Sequence, residues 1–86
     1  MRVFTHRDFD RRVKKLKLDE KTKLKQRLSL FMVDPDNPVL NNHALKGRYG
    51  GYYSINATGD LRALYKLLTK DAVLFVIIDT HSNLYG

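Results

Sequence analysis

Apolar positions follow two different periods along this chain. Phe9, Val13 and Leu16 recur at i, i+4 and i+7, the stripe of a short amphipathic helix whose remaining circumference is largely basic. Leu24, Leu28, Phe31 and Met32 form a second stripe. It is predicted to start at the junction Leu18-Asp19, with Asp19 as N-cap, and to stop before Asp34-Pro35, because the residue preceding a proline is pushed out of helical space. Val3-Phe4 ahead of both reads as a short opening strand, so the first third is a strand followed by two antiparallel helices.

Asp34 to Asn42 carries two prolines and three asparagines, and His43 to Gly51 adds three glycines, so the whole stretch reads as one long turn-rich loop. The period then changes. Tyr52 to Asn56, Leu61 to Leu68 and Ala72 to Asp79 are rich in Tyr, Ile, Val, Leu and Phe, with Ala57-Thr58-Gly59-Asp60 and Thr69-Lys70-Asp71 between them. This is the signature of an antiparallel meander. In its middle strand Leu61, Ala63, Tyr65 and Leu67 point to one face, and Arg62, Leu64, Lys66 and Leu68 to the other. Tyr52, Tyr53 and Tyr65 are expected to be packing residues, and Asn41-Asn42 plain loop. The expected fold is α+β: a short N-terminal strand and a helical hairpin packed on an antiparallel sheet, in the order β-α-α-β-β-β.

Length allows one domain, residues 1–86, with one modest core. The chain has no cysteine, which removes disulfides, thiolate zinc sites and thiol nucleophiles and makes a reducing compartment, the cytoplasm, the expectation. Neither a secretory h-region nor the roughly 18 consecutive apolar residues of a membrane span is present, so no membrane association is expected. Charge is distributed unevenly. Met1 to Arg27 carries eleven Lys/Arg against four Asp/Glu, and Leu28 to Gly86 five against five, so the net charge of +7 sits in the first third. Such a footprint attracts polyanions, nucleic acid first among them, and Lys14, Lys15, Lys21 and Lys25 are its central candidates.

His81 and Tyr85 close the chain just after the apolar run Ala72 to Ile78, where a rigid strand can hold a reactive group in fixed geometry. Metal chemistry is disfavoured, because His6, His43 and His81 lie in separate segments, Glu20 is the only Glu and the aspartates are scattered; no cofactor is expected. A histidine, with an unperturbed pKa of about 6.5, is suited to proton transfer near neutrality. His81 is the first choice and His43 the second. Arg62 offers a planar fork to a phosphate, Lys46 a further cation, and Tyr85 a ring on which an unpaired base can stack.

Three stretches, His43-x-Leu45-x-Gly47, Asp60-Leu61-Arg62-Ala63-Leu64-Tyr65-Lys66 and Thr80-His81-x-x-Leu84-Tyr85-Gly86, resemble the RelE superfamily of bacterial toxins, most closely its YafQ-like branch. The likeness spans the chain, in order, spacing and residue type over the strand half and in pattern over the helical half. It implies a small basic endoribonuclease that enters the ribosome, cuts mRNA there, and is held inactive by a cognate antitoxin. Such cleavage without a metal uses the RNA 2′-hydroxyl as nucleophile, and needs its proton removed, the phosphorane charge stabilised and the leaving 5′-oxygen protonated. The resemblance also gives Asp60 a possible catalytic role beside its turn chemistry. Family members often carry a second His where this chain has Asn56, an aromatic where it has Leu61, and in some cases an Arg in the last strand, where Val76-Ile77-Ile78 stands here. The chemistry therefore leans on Arg62, His81 and whatever the long loop supplies. The alternative is a non-catalytic toxin of the same fold, of the gyrase-inhibiting kind, that binds nucleic acid or protein without cutting.

Overall fold

The computed structural model describes all residues, 1–86. Strand β1 (Arg2–Thr5) leads into helices α1 (Arg7–Lys14) and α2 (Leu18–Val33), followed by strands β2 (His43–Ala44), β3 (Tyr53–Asn56), β4 (Leu61–Thr69) and β5 (Ala72–Thr80) and a last helix, α3 (His81–Tyr85). The α+β architecture and its order are as the sequence predicts, with β2 and α3 added. The five strands form one sheet in the order β1-β5-β4-β3-β2. It is mixed: β1 lies parallel to β5, while every other pair is antiparallel.

Each helix start has a local cause. His6 caps α1 by accepting the Asp8 N–H on Nδ1 at 3.0 Å. The start of α2 differs from expectation: Lys17, not Asp19, occupies the N-cap position, and its N–H donates to Glu20 Oε1 at 2.9 Å. This reach-back from the third helical residue satisfies an amide that would otherwise lack a partner, and leaves Asp19 and Glu20 inside the first turn, where the helix dipole favours negative charge. The helix stops at Val33, as Asp34-Pro35 requires.

The helices cover one face of the sheet. Phe9 from α1 and Leu24 and Phe31 from α2 pack with Ile55, Ala63, Tyr65, Val73, Phe75 and Ile78. Phe31 is completely buried, with ring centroids 5.0 Å from Tyr65 and 5.5 Å from Phe75, both edge-on, and Tyr65 is 5.1 Å from Phe75. Tyr53 stacks on Tyr65 at 5.3 Å, so these two tyrosines pack as expected.

A β-bulge decides the sheet's faces. Leu64 pairs with Ile77 and Tyr65 with Phe75, which leaves Val76 as an extra residue. Strict alternation would turn Ile78 away from Phe75; the bulge restores both to the helix side, where both are buried. Leu64 and Ser54, opposite one another on the other face, are also fully buried, and Leu84 of α3 is buried nearly as deeply. The outer face is therefore covered around its centre, where α3 packs on β5 and Tyr49, from the segment between β2 and β3, meets Tyr85.

The long loop is more ordered than its composition suggests. Short 3₁₀ turns occupy Pro38–Leu40 and Gly47–Tyr49, and between them β2 pairs His43 with Ser54 and Ala44 with Tyr53. Asn42 is not plain loop: it accepts the Tyr65 hydroxyl at 2.7 Å and donates to the Pro35 carbonyl at 3.1 Å.

Candidate active site

His81 is the first residue of α3, one position beyond β5, so the reactive end of the chain is a helical turn rather than a continuing strand. Three contacts fix that turn. Thr80 Oγ1 accepts the Asn83 N–H at 3.1 Å as N-cap, the His81 N–H donates to the Asp60 carbonyl at 2.9 Å, and Asn83 Nδ2 donates to Asp79 Oδ1 at 2.9 Å. The backbone that carries the imidazole is thereby held to β5 and to the β3–β4 turn. His81 and Tyr85, four residues apart, lie one turn from each other with ring centroids 4.9 Å apart.

Asp79 anchors this arrangement. Its Oδ1 also accepts the Thr80 N–H at 2.8 Å, while Oδ2 faces Arg12 of α1 at 3.2 Å. Burial alone would raise its pKa, but the bonds from Asn83 and Thr80 and the Arg12 guanidinium more than offset that, and the carboxyl titrates below its ordinary value. Arg12 and Lys15 border a cleft together with Leu61, Asp79 and Thr80. The structure thus brings Lys15 to the His81 end. Lys21 and Lys25 instead line a groove between α1 and α2 with Phe9, Val13, Leu24 and Leu28, and Lys14 ends α1 on the same helical layer.

Arg62 projects from β4 on the outer face, opposite Asn56 on one side and Asp79 on the other. One arm of its fork is occupied: Nη1 donates to the carbonyls of Thr58, Gly59 and Leu61 at 3.2–3.3 Å. It makes no ion pair with a carboxylate, so its charge and the rest of the guanidinium remain for an anion. Asp60 sits in the adjoining turn with an exposed side chain and meets His81 through its backbone.

His43 is elsewhere. It lies on edge strand β2, three strands from β5, a lateral separation of about 14 Å at ordinary strand spacing. Its Nδ1 is 2.7 Å from the Asn41 carbonyl, which can only accept, so Nδ1 carries the proton there and Nε2 faces outward. Lys46 follows β2 and is exposed at the start of the 3₁₀ turn.

Tyr49 was assigned no role from the sequence, and Tyr52 was expected to pack like Tyr53 and Tyr65. Tyr52 does not pack in the core with Tyr53 and Tyr65; it lies on the outer face beneath Lys66 Nζ, 4.8 Å from its ring centre. Tyr49 stands edge-on to Tyr52 at 6.4 Å and to Tyr85 at 6.1 Å, with the Arg48 guanidinium 5.4 Å from its ring. Tyr52 immediately precedes β3, so extended backbone turns it and Tyr53 to opposite faces, but only the register that sets Tyr53 against Tyr65 says which of the two faces outward.

No protein-family model and no curated protein sequence matches the chain. Among solved structures, Escherichia coli YafQ (strain BL21(DE3)) superposes with a TM-score of 0.78 at 26% identity, all of each chain being covered. The toxin of the E. coli DinJ–YafQ toxin-antitoxin complex gives 0.76 at 27% identity, covering 98% of this chain and 96% of that one. A YoeB/ParE toxin from Agrobacterium tumefaciens shares the fold, with a TM-score of 0.75 at 15% identity over 94% of this chain and 99% of that one. The chain thus has the fold of the RelE-superfamily toxins and is similar over its whole length to YafQ.

Proposed function

We propose that this protein, a single domain over residues 1–86, is the toxin of a type II toxin–antitoxin pair and acts as a metal-independent endoribonuclease on mRNA in the ribosome. The observation that carries the reading is the chain end: an imidazole and a phenol one turn apart on a helix fixed at three points, beside an arginine free of carboxylates, in a full-length match to YafQ. The DinJ–YafQ complex supports a cognate antitoxin as partner. The cytoplasm, where ribosomes and mRNA meet, is the proposed compartment.

In the proposed reaction the 2′-oxygen attacks the adjacent phosphorus, its proton is removed, and the P–O5′ bond breaks as the 5′-oxygen takes up a proton. His81 serves proton transfer, Arg62 meets the charge developing on the phosphoryl oxygens, and Tyr85 stacks on an unpaired base. Asp60 acts by holding His81 through its carbonyl. Lys46 beside the outer face and Lys15 in the cleft beside Thr80 supply phosphate contacts. His43, with Nε2 outward but three strands away, is a second proton-transfer group only if the RNA spans that distance. Dependence on the ribosome follows from the small number of acid–base groups, since positioning by a second macromolecule can supply much of a barrier.

The test is primer extension on a translated message after induction of the protein, with His81→Ala beside it. Cuts confined to translated message and lost in His81→Ala are expected. Growth arrest without any cut in either would replace the nuclease with the non-catalytic binding toxin.

A further inference from the structure

The outer face carries an aromatic path that extends well past Tyr85. Lys66 lies over Tyr52, Tyr52 meets Tyr49, Tyr49 meets Tyr85, and Tyr85 meets His81. Arg48 flanks the middle ring and Lys46 the turn that carries it. None of the three phenol hydroxyls is hydrogen-bonded within the chain; the only tyrosine hydroxyl that is belongs to Tyr65, in the core. None of the three cations is in an ion pair. Such a set of side chains is odd as mere packing. Rings in a packed layer are covered and their hydroxyls satisfied, whereas these stand partly exposed beside unpaired cations.

We propose that Tyr52 and Tyr49, with Lys66 and Arg48, form a track for single-stranded RNA leading to His81, with unpaired bases against the rings and phosphates against the cations. The inference rests on the endoribonuclease reading and names how its substrate is gripped away from the bond that is cut. The chemistry favours a single strand. Base–ring stacking needs an exposed base face, which a duplex hides, and it tolerates any sequence because every base has such a face. Edge-to-face packing holds the three rings in place before RNA arrives, so little side-chain freedom is lost on binding. An acidic peptide would be drawn by the cations but has no use for three rings in a row.

The experiment measures fluorescence anisotropy of a short labelled single-stranded RNA on purified His81→Gln protein at low salt, with Tyr49→Ala, Tyr52→Ala, Tyr49→Phe, Tyr52→Phe and Lys66→Gln added singly. Each Ala variant is expected to weaken binding about 5- to 100-fold, as for loss of one stacked base. Each Phe variant should stay within about twofold, because a phenyl ring stacks as well as a phenol. Lys66→Gln should lower the log–log salt slope by about 0.7, one phosphate contact on a single strand. Unlabelled duplex RNA should compete poorly. Ala variants that fold by circular dichroism and bind as tightly as their parent overturn the track, as does a complete lack of binding, or Phe variants as weak as Ala. Cleavage assays in the His81 background separate the two claims. Tyrosine-dependent binding by a protein that cuts no message leaves the track and removes the nuclease, whereas message cleavage with unchanged KM in Tyr49→Ala and Tyr52→Ala does the reverse.

Discussion

Three side chains show how much of this fold turns on single polar groups. Tyr65 sits in the aromatic core, and its hydroxyl finds Asn42 across 23 residues of chain. Tyr65→Phe should cost roughly 1–2 kcal/mol, because the Asn42 oxygen loses its donor in a partly buried site; urea unfolding of the two proteins measures it. Burial, only partly opposed by the Asn42 bond, raises the Tyr65 pKa above 10.0. A free phenol in the unfolded chain ionises first, so stability should be complete below about pH 10 and fall as pH rises through the higher folded value, a loss absent in Tyr65→Phe. Asp79 behaves oppositely. Its folded pKa lies below the ordinary 3.8, so its contribution is present above that value and lost as pH falls through the folded one. Acid unfolding monitored by circular dichroism should be less steep below pH 4 in Asp79→Asn. Ser54 is the counter-case, a fully buried hydroxyl without a partner. Ser54→Ala should leave the melting temperature unchanged or raise it, and a fall of several degrees would show that the hydroxyl is bonded after all.

Among the elements, α3 concentrates the proposed chemistry in five residues, too few to be helical by propensity. It stands on its cap and on Asp79. Thr80→Ala should therefore cost about 1 kcal/mol of local stability and reduce message cleavage with little effect on the circular dichroism of the rest. His81→Gln should lower the cleavage rate by roughly 10²–10⁴-fold, the usual worth of a positioned proton-transfer group. Arg62→Lys should recover little of what Arg62→Ala loses. An ammonium cannot both hold the turn carbonyls of Thr58, Gly59 and Leu61 and meet a phosphate. Primer extension on each purified variant decides, and wild-type cutting by both His81→Gln and Arg62→Ala would end the active-site assignment.

Across the whole molecule, cations lie on both sides of the sheet. Lys21 and Lys25 stay on the helical layer, Lys15 reaches the cleft beside Thr80, and Lys46, Arg48 and Lys66 border the outer face. RNA affinity should fall steeply with salt, and Lys15→Ala should flatten the dependence more than Lys21→Ala or Lys25→Ala. Equal effects at Lys15, Lys21 and Lys25 would mean that RNA wraps the helices as well.

The amino-acid sequence by itself determined the elements whose cause is local. Helical stripes, the stop at Asp34-Pro35 and three β-rich runs between turn residues each depend on neighbours a few positions away, and so were legible in the order of residues. His81, Arg62 and Tyr85 were named from residue type and resemblance, but their mutual placement, His81 and Tyr85 one turn apart and Arg62 opposite Asp79, came only from the structure. Pairing over long separations was not. The parallel seat of β1 beside β5, the capture of His43-Ala44 as an edge strand and the bond from Tyr65 to Asn42 join segments whose sequences are indifferent to one another until the chain has folded. The run Val73 to Ile78 is apolar throughout, so no alternation marks its faces; only the bulge at Val76 sends Phe75 and Ile78 to the core and leaves Asp79 and α3 to the other side. That choice of face is what sets Tyr85 against Tyr49, and through it in line with Tyr52. A period of two makes every residue's side depend on register, and register is a property of the pair of strands rather than of either one.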